Sequence, residues 1–419
     1  MPDRIIATYR VALTTGDSLE KKAQAIALGQ TVGAWTPVPS ANPATWERHR
    51  GEVVDATSLD EGAAGVVRIA FPVANCEGDL PTILTMTFGK VSLDGRIKLV
   101  DLDLPTTLLT QFPGPKFGIE GLRERLGQPA QSALGLGHRG KLAGQPDQPL
   151  TMAIFKPCLG LTPPQLGEMF YQLGSGGLDL VKDDEILPDV PDTPTLQRLE
   201  ACLKAAERIK RETHRTVLYA VNLTGRPQQL RQRALTFQSL GATCFLFNVL
   251  AYGWAVFQEL TADPAIQVPF LAHPALAGGL CGAPDYGMSY VLVLGKLMRL
   301  AGADIVLYPA HYGTFPFPAE EECGIRDALR APATPLKRAW PGPSVGIHPG
   351  MVPQLLADYG NDVVINAGGG IHGHPDGPAA GARAMVQAVE LALRGQRFAA
   401  GLPTGFPELE KAIATWGVC

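Results

Sequence analysis

The run Gly176-Gly177-Leu178-Asp179-Leu180-Val181-Lys182-Asp183-Asp184-Glu185 sets a lysine and three acids directly after a short apolar stretch. Leu178, Leu180 and Val181 read as a buried strand, so four charges open at its C-terminal end, where α/β folds gather their chemistry. Alternation along extended backbone puts Lys182 and Asp184 on one side, and a following turn brings Glu185 round to join them. Oxygen donors grouped in this way suit Mg²⁺, a hard cation that asks for octahedral oxygen from few protein groups. A lysine beside carboxylates is also a common solvated surface cluster. Its place at a strand exit is what argues for a site.

Two glycine-rich runs supply a second signal: Ser344-Val345-Gly346-Ile347-His348-Pro349-Gly350 and Asn366-Ala367-Gly368-Gly369-Gly370. Bare backbone N–H groups at such positions approach an oxyanion closely, and the last two loops of a barrel often hold a phosphate. A tight turn is the alternative reading. A third glycine motif, Gly135-Leu136-Gly137-His138-Arg139-Gly140, runs into Pro146 and Pro149 instead of a helix, so it reads as a loop and not a dinucleotide fingerprint.

These residues need a frame. From Pro149 onward the pattern is strand then helix, repeated eight times. Strands are expected at 151–155, 178–182, 217–222, 244–248, 270–273, 304–308, 344–347 and 363–367, with helices at 163–173, 195–213, 228–240, 254–261, 286–300, 320–329, 352–359 and 379–394. Eight consecutive units in about 250 residues indicate a (β/α)₈ barrel, with a doubly wound sheet as the alternative. Residues 1–125 follow the order β-α-β-β-α-β of a ferredoxin-like domain, and 126–148 form an irregular insertion before the barrel domain at 149–419. The barrel mouth then collects Lys156, Lys182, Asp183, Asp184, Glu185, Asn222, Asn248, His273, Tyr308, Ser344, Gly346, His348, Gly368, Gly369 and Gly370. Asn222 and Asn248 also have a structural reading, as side chains that satisfy loop backbone, and His273 or His348 can be a hydrogen-bonded structural histidine.

The 419 residues carry a formal net charge of −4 and no basic run, which gives no footprint for nucleic acid. No apolar stretch is long enough to span a bilayer, and the N-terminus lacks a signal-peptide pattern. Seven scattered cysteines without a CxxC pair suit a reduced, cytoplasmic enzyme.

The motif Gly176–Glu185 closely resembles the activation motif of the RuBisCO large chain. Ile154-Phe155-Lys156-Pro157 resembles its first-strand lysine motif, and the 344–348 and 368–375 runs resemble its two phosphate loops. The resemblance covers both domains. It implies that CO₂ adds to Lys182 as a carbamate, which with Asp184 and Glu185 binds Mg²⁺. The departures are specific. An acid that the family carries before a Thr-Gly-Thr-Trp run is missing from Gly29–Trp35, the second lysine of the first-strand motif is Cys158, the arginine after the fifth-strand histidine is Pro274, and the run Pro309–Pro316 has no lysine. Without that last lysine a carboxylated transition state lacks its charge partner, so carboxylation is not expected.

What remains is the enolising half. The sequence is similar to the RuBisCO-like proteins, in particular to the branch that enolises 2,3-diketo-5-methylthiopentyl 1-phosphate in methionine salvage. Thr31–Thr36, Phe88-Gly89-Lys90, Leu93–Leu99, Tyr219–Arg226 and Gly346–Pro353 carry that likeness. It implies a homodimer with shared active sites: Lys98 from one subunit's N-terminal domain as base at its neighbour's barrel, Trp35 closing the site, Lys156 neutralising enolate or phosphate charge, and His273, Ser344, Gly346, Gly368, Gly369 and Gly370 binding substrate. Rival readings are another RuBisCO-like reaction (isomerisation of 5-methylthioribulose 1-phosphate, or decarboxylation of a keto-acid sugar phosphate) and a non-catalytic sugar-phosphate-binding protein.

Overall fold

A computed structural model describes all residues except 1–2, 15, 34–41, 60–62, 128–147, 333–334, 397–403 and 419. Trp35, the 135–140 glycine motif and most of the expected insertion lie outside the described residues. The N-terminal strands are β1 (Arg4–Ala12), β2 (Glu52–Leu59), β3 (Ala64–Pro72) and β4 (Ile97–Asp103), paired antiparallel in the order β4-β1-β3-β2 expected of a ferredoxin-like sheet. Alternate residues Ile5, Ala7, Tyr9 and Val11 are fully buried, as period-two patterning requires of a sheet with one covered face.

The barrel is built from β5 (Leu150–Ile154), β6 (Leu180–Lys182), β7 (Leu218–Asn222), β8 (Cys244–Phe247), β9 (Phe270–Ala272), β11 (Ile305–Pro309), β12 (Trp340–Ser344) and β13 (Val364–Ala367). Between them β10 (Gly287–Met288) leaves the barrel domain and pairs parallel with β4. The parallel ladder runs from β12 round to β13. Its seam has a chemical cause. Trp340 N and Ser344 O bond toward β11, so alternation turns Pro341 and Pro343 toward β13, where neither has an N–H to give. The Asn366 amide bridges the seam instead, donating to Ser344 Oγ at 2.8 Å.

The expected barrel forms, but its seventh strand is 340–344 and not 344–347. Two prolines in Trp340-Pro341-Gly342-Pro343-Ser344 disguise a strand that a single ladder can hold. A helix at Pro407–Trp416, unread in the sequence, closes the chain.

Alternation also decides what the barrel holds. Leu150, Met152, Leu180, Leu218, Ala220, Leu246, Leu271, Leu307 and Val364 form an interior cluster plugged at one end by Ile119 and Leu122. Continuing the same parity toward the strands' C-terminal ends gives Lys182, Asn222, Asn248, His273, Ser344 and Asn366. The residues that fill the barrel below therefore dictate which polar groups face its mouth.

The opposite end is tied by Asp304, fully buried, whose carboxylate accepts N–H bonds from Phe117, Gly118 and Phe270 at 2.7, 2.8 and 3.0 Å. Burial pushes its pKa up to about 6 against the pull of these donors. Asp304→Ala should orphan three buried N–H groups at about 1–3 kcal/mol each. Thermal denaturation should then show Tm lower by about 3–10 °C, and an unchanged Tm would contradict the assignment. No described helix is long and apolar enough to cross a membrane.

Candidate active site

Lys182 ends β6 with its side chain fully buried. Its Nζ donates to the Asp183 carbonyl at 2.9 Å and lies 3.5 Å from Glu185 Oε2. Burial pushes the amine below the ordinary lysine range, with Glu185, Asp184 and Asp183 opposing. Asp183 faces the other way. Its carboxylate takes Arg198 Nε at 3.0 Å, the Asn222 N–H at 2.9 Å and the Tyr219 hydroxyl at 2.5 Å, a buried anchor that holds the strand end from behind.

Asp184 meets Lys156 at 2.8 Å, and Lys156 Nζ also lies 2.9 Å from Cys158 Sγ. Burial would raise the Asp184 pKa, but the Cys158 thiol and the Lys156 and Lys182 nitrogens hold it down to about 2. Lys156 shows the reciprocal effect: burial opposes its charge, and Asp184 with Cys158 outweighs burial and raises it. Glu185 Oε2 is 3.2 Å from His273 Nε2, while His273 Nδ1 accepts the Ala275 N–H at 3.2 Å. The second bond assigns the Nε2–H tautomer, so a neutral imidazole donates to Glu185. Burial and nearby Lys182 keep it neutral by pushing its pKa well down. Asn222 and Asn248 take the structural role: both amides donate to the Glu185 carbonyl at 3.0 Å, fixing the turn after β6.

Above this group lies a cavity of about 540 Å³. Lys156, Asp184, Glu185 and His273 line its floor, and Ser344, Gly346, Gly368 and Gly369 line one side. Gly346 adopts φ +82°, and a Cβ there would sit 2.7 Å from Thr314. Its neighbour Val345 holds φ +72°, strained for a β-branched residue, with its carbonyl taking the Thr314 N–H. Gly369 faces open space, whereas a Cβ on Gly370 would lie 2.2 Å from the Ile347 carbonyl. Gly370 therefore packs one glycine loop onto the other and does not line the cavity.

Lys98 is not at this mouth. It is 8% exposed on β4, and its Nζ donates to the Cys281 and Ala283 carbonyls of its own chain at 3.1 and 2.7 Å. An ammonium so engaged cannot also accept a proton in a neighbouring barrel, which conflicts with the expected role. Lys90 does not share the constraint. It is exposed, its side chain makes no hydrogen bond or ion pair with another described residue, and its Nζ lies beside Gly29. The Gln30 side chain splices the two stretches together, donating to Met86 O at 2.9 Å and accepting the Val91 N–H at 3.1 Å. Lys90 stands at the root of the segment leading to Trp35; its place in Phe88-Gly89-Lys90 was the signal available in the sequence.

Family models match over nearly the whole chain: the RuBisCO large-chain N-terminal domain over residues 2–108 and the large-chain catalytic domain over 136–416. The chain belongs to the RuBisCO large-chain family. Within that family it is 44% identical over 414 residues to the 2,3-diketo-5-methylthiopentyl-1-phosphate enolase of Microcystis aeruginosa, covering 99% of this chain and 100% of that one. The rubisco-like protein (MtnW) of Alicyclobacillus acidocaldarius superposes with a TM-score of 0.87 at 43% identity, covering 99% and 100% of the two chains. The dimeric archaeal Rubisco of Hyperthermus butylicus gives 0.87 at 29% identity, covering 100% of this chain and 96% of the other.

Among the described residues no three His, Cys, Asp or Glu side chains stand together in a metal-holding arrangement. Asp184 and Glu185 are two oxygen donors that need a third, and the group placed beside them is a buried amine of lowered pKa. A carbamate on Lys182 would turn that amine into the missing oxygen donor, so the residues fit.

Proposed function

We propose that the protein enolises 2,3-diketo-5-methylthiopentyl 1-phosphate to 2-hydroxy-3-keto-5-methylthiopentenyl 1-phosphate, the activity in its relatives' name. The observation that carries this reading is the mixed character of the cavity's lining. Glycine backbone at Gly346, Gly368 and Gly369 suits a phosphate. The rest is largely apolar, with Pro274, Ala277, Tyr290, Leu294, Phe315 and Phe317, the Tyr290 and Phe317 rings lying 4.8 Å apart. Among the described lining residues Lys156 is the one cation, because His273 is neutral. Such a cavity suits one phosphate and an uncharged tail, and would leave a second phosphate without a counter-charge.

Mg²⁺ held by carbamylated Lys182, Asp184 and Glu185 would supply Lewis-acid stabilisation of the enolate oxygens. His273 orients Glu185, and the Asn222 and Asn248 amides hold its backbone. The glycine loops bind phosphate through N–H groups, with Ser344 fixed by Asn366. Removal of a C1 proton leaves its electron pair as the C1–C2 π bond; the C2 carbonyl oxygen takes up the negative charge and then a proton. Lys156, at the cavity floor, neutralises that oxygen as charge builds. The proton acceptor is assigned to Lys90 of a partner subunit's N-terminal domain, with Trp35 of the same domain covering the phosphate. A homodimer follows from this arrangement. The six described cysteines are free thiols, which fits a reducing cytoplasm.

The test is NMR of the reaction in D₂O. Conversion of the diketone phosphate should proceed with deuterium entering only through C1, and should require Mg²⁺ and CO₂. Conversion of 5-methylthioribulose 1-phosphate in its place would overturn the proposal. A substrate lacking the terminal methylthio group should lose roughly 2 kcal/mol of apolar burial, about 30-fold in kcat/KM. Equal rates for both substrates would remove the apolar wall from the argument.

A further inference from the structure

We propose that the C-terminal helix Pro407–Trp416 positions the phosphate cradle, with Trp416 as its positioning residue; the proposal rests on reading the two glycine loops as that cradle. Both loops lean on this helix. On the β12 side, the Trp416 ring lies 6.1 Å from the His348 ring at 35°, and a Cβ on Gly350 would lie 2.0 Å from the Gly417 carbonyl. On the β13 side, a Cβ on Gly373 would meet Trp416 Cζ2 at 3.5 Å, and His374 Nε2 donates to the Glu408 carbonyl at 2.9 Å. The tautomer is set by the Asp376 N–H, which His374 Nδ1 accepts at 3.0 Å. Ion pairs Arg383–Glu408 at 2.8 Å and Lys411–Asp376 at 2.6 Å pin the helix down beside the second loop.

One indole thus abuts both loops from behind, at the level where Gly370 presses them together. Backbone N–H groups have no rotamer with which to adjust, so a cradle made of them is only as good as the spacing between the loops that carry them. A close approach enforced at Gly350 and Gly370 leaves that spacing to the wedge that fills the remaining gap. His348 strengthens the case: its buried Nδ1 has no hydrogen-bond partner among the described residues, and the ring sits against Gly350 and Trp416.

The experiment compares the wild-type protein with Trp416→Ala and Trp416→Phe, using the diketone phosphate as substrate and inorganic phosphate as competitive inhibitor. Trp416→Ala should raise both KM and the phosphate inhibition constant on the order of tenfold while kcat at saturation stays within about threefold. Trp416→Phe, which keeps an aromatic wedge, should restore most of both. Where Trp416→Ala gives no soluble protein, Trp416→Leu serves the same comparison. A loss of kcat or Tm with KM and phosphate inhibition unchanged would mean that the helix is merely structural, and the proposal fails. Failure of inorganic phosphate to compete in the wild-type protein would take down the cradle reading itself, and this proposal with it.

Discussion

Lys182→Met should lower turnover of the diketone phosphate by at least ~10³-fold, equivalent to about 4 kcal/mol of transition-state stabilisation. Methionine is of similar length and apolar, so a fully buried position accepts it without a cavity. The loss would therefore be chemical. A free amine attacks CO₂ and releases a proton, so carbamate formation needs the neutral form, and burial makes that form available below the pH at which an ordinary lysine supplies it. Activation by CO₂ and Mg²⁺ should accordingly rise with pH and level off below the usual lysine pKa. With ¹³C-labelled CO₂, the wild-type protein should give a carbamate resonance that Lys182→Met lacks. A variant that kept its turnover, or a wild-type spectrum without the resonance under activating conditions, would end the carbamate mechanism.

The legibility of this site varied with the kind of constraint involved. Lys182 and Asp184 could be placed from sequence because a strand's period of two is rigid, and the same period separated Asp183, whose buried partner Arg198 comes from a helix 15 residues on. Local pattern places Ser344 at the start of a strand, and it is the end of one. Proline is disfavoured in central strands, and only the unladdered seam beside β13 makes Pro341 and Pro343 tolerable. Such a seam is a property of the closed barrel, invisible in a local window. Gly368, Gly369 and Gly370 looked equivalent as letters, yet one faces the cavity opening and another is jammed against a neighbouring loop. Trp416 lies in an unremarkable amphipathic segment far along the chain from His348, and nothing local announces that the two rings meet. Patterns of period and capping carried the frame; contacts between distant loops decided the fine assignment of roles.

That distinction bears most on the base. Lys90→Ala should cut kcat/KM by about 10²–10⁴-fold, the range for removing a general base, with Tm unchanged because its side chain is exposed and makes no bond to a described residue. Exchange of the C1 proton with D₂O should disappear alongside turnover, and small primary amines in the buffer should restore part of both. Lys98→Ala should behave in the opposite way. Its ammonium ties β4 to the turn before β10 through two carbonyls, beside the register pair Lys98 and Gly287. Deleting it strips charged donors worth about 1.5–3 kcal/mol each, so Tm should fall while the folded fraction keeps C1 exchange within about tenfold of wild type. A lysine can serve as proton acceptor only if its nitrogen lone pair can reach the substrate, and the two residues differ on that point before any kinetics are measured: one nitrogen is spent inside its own subunit, the other stands beside Gly29. Loss of C1 exchange in Lys98→Ala at undiminished Tm would reverse the assignment and would require the 281–283 turn to release its lysine when two subunits assemble.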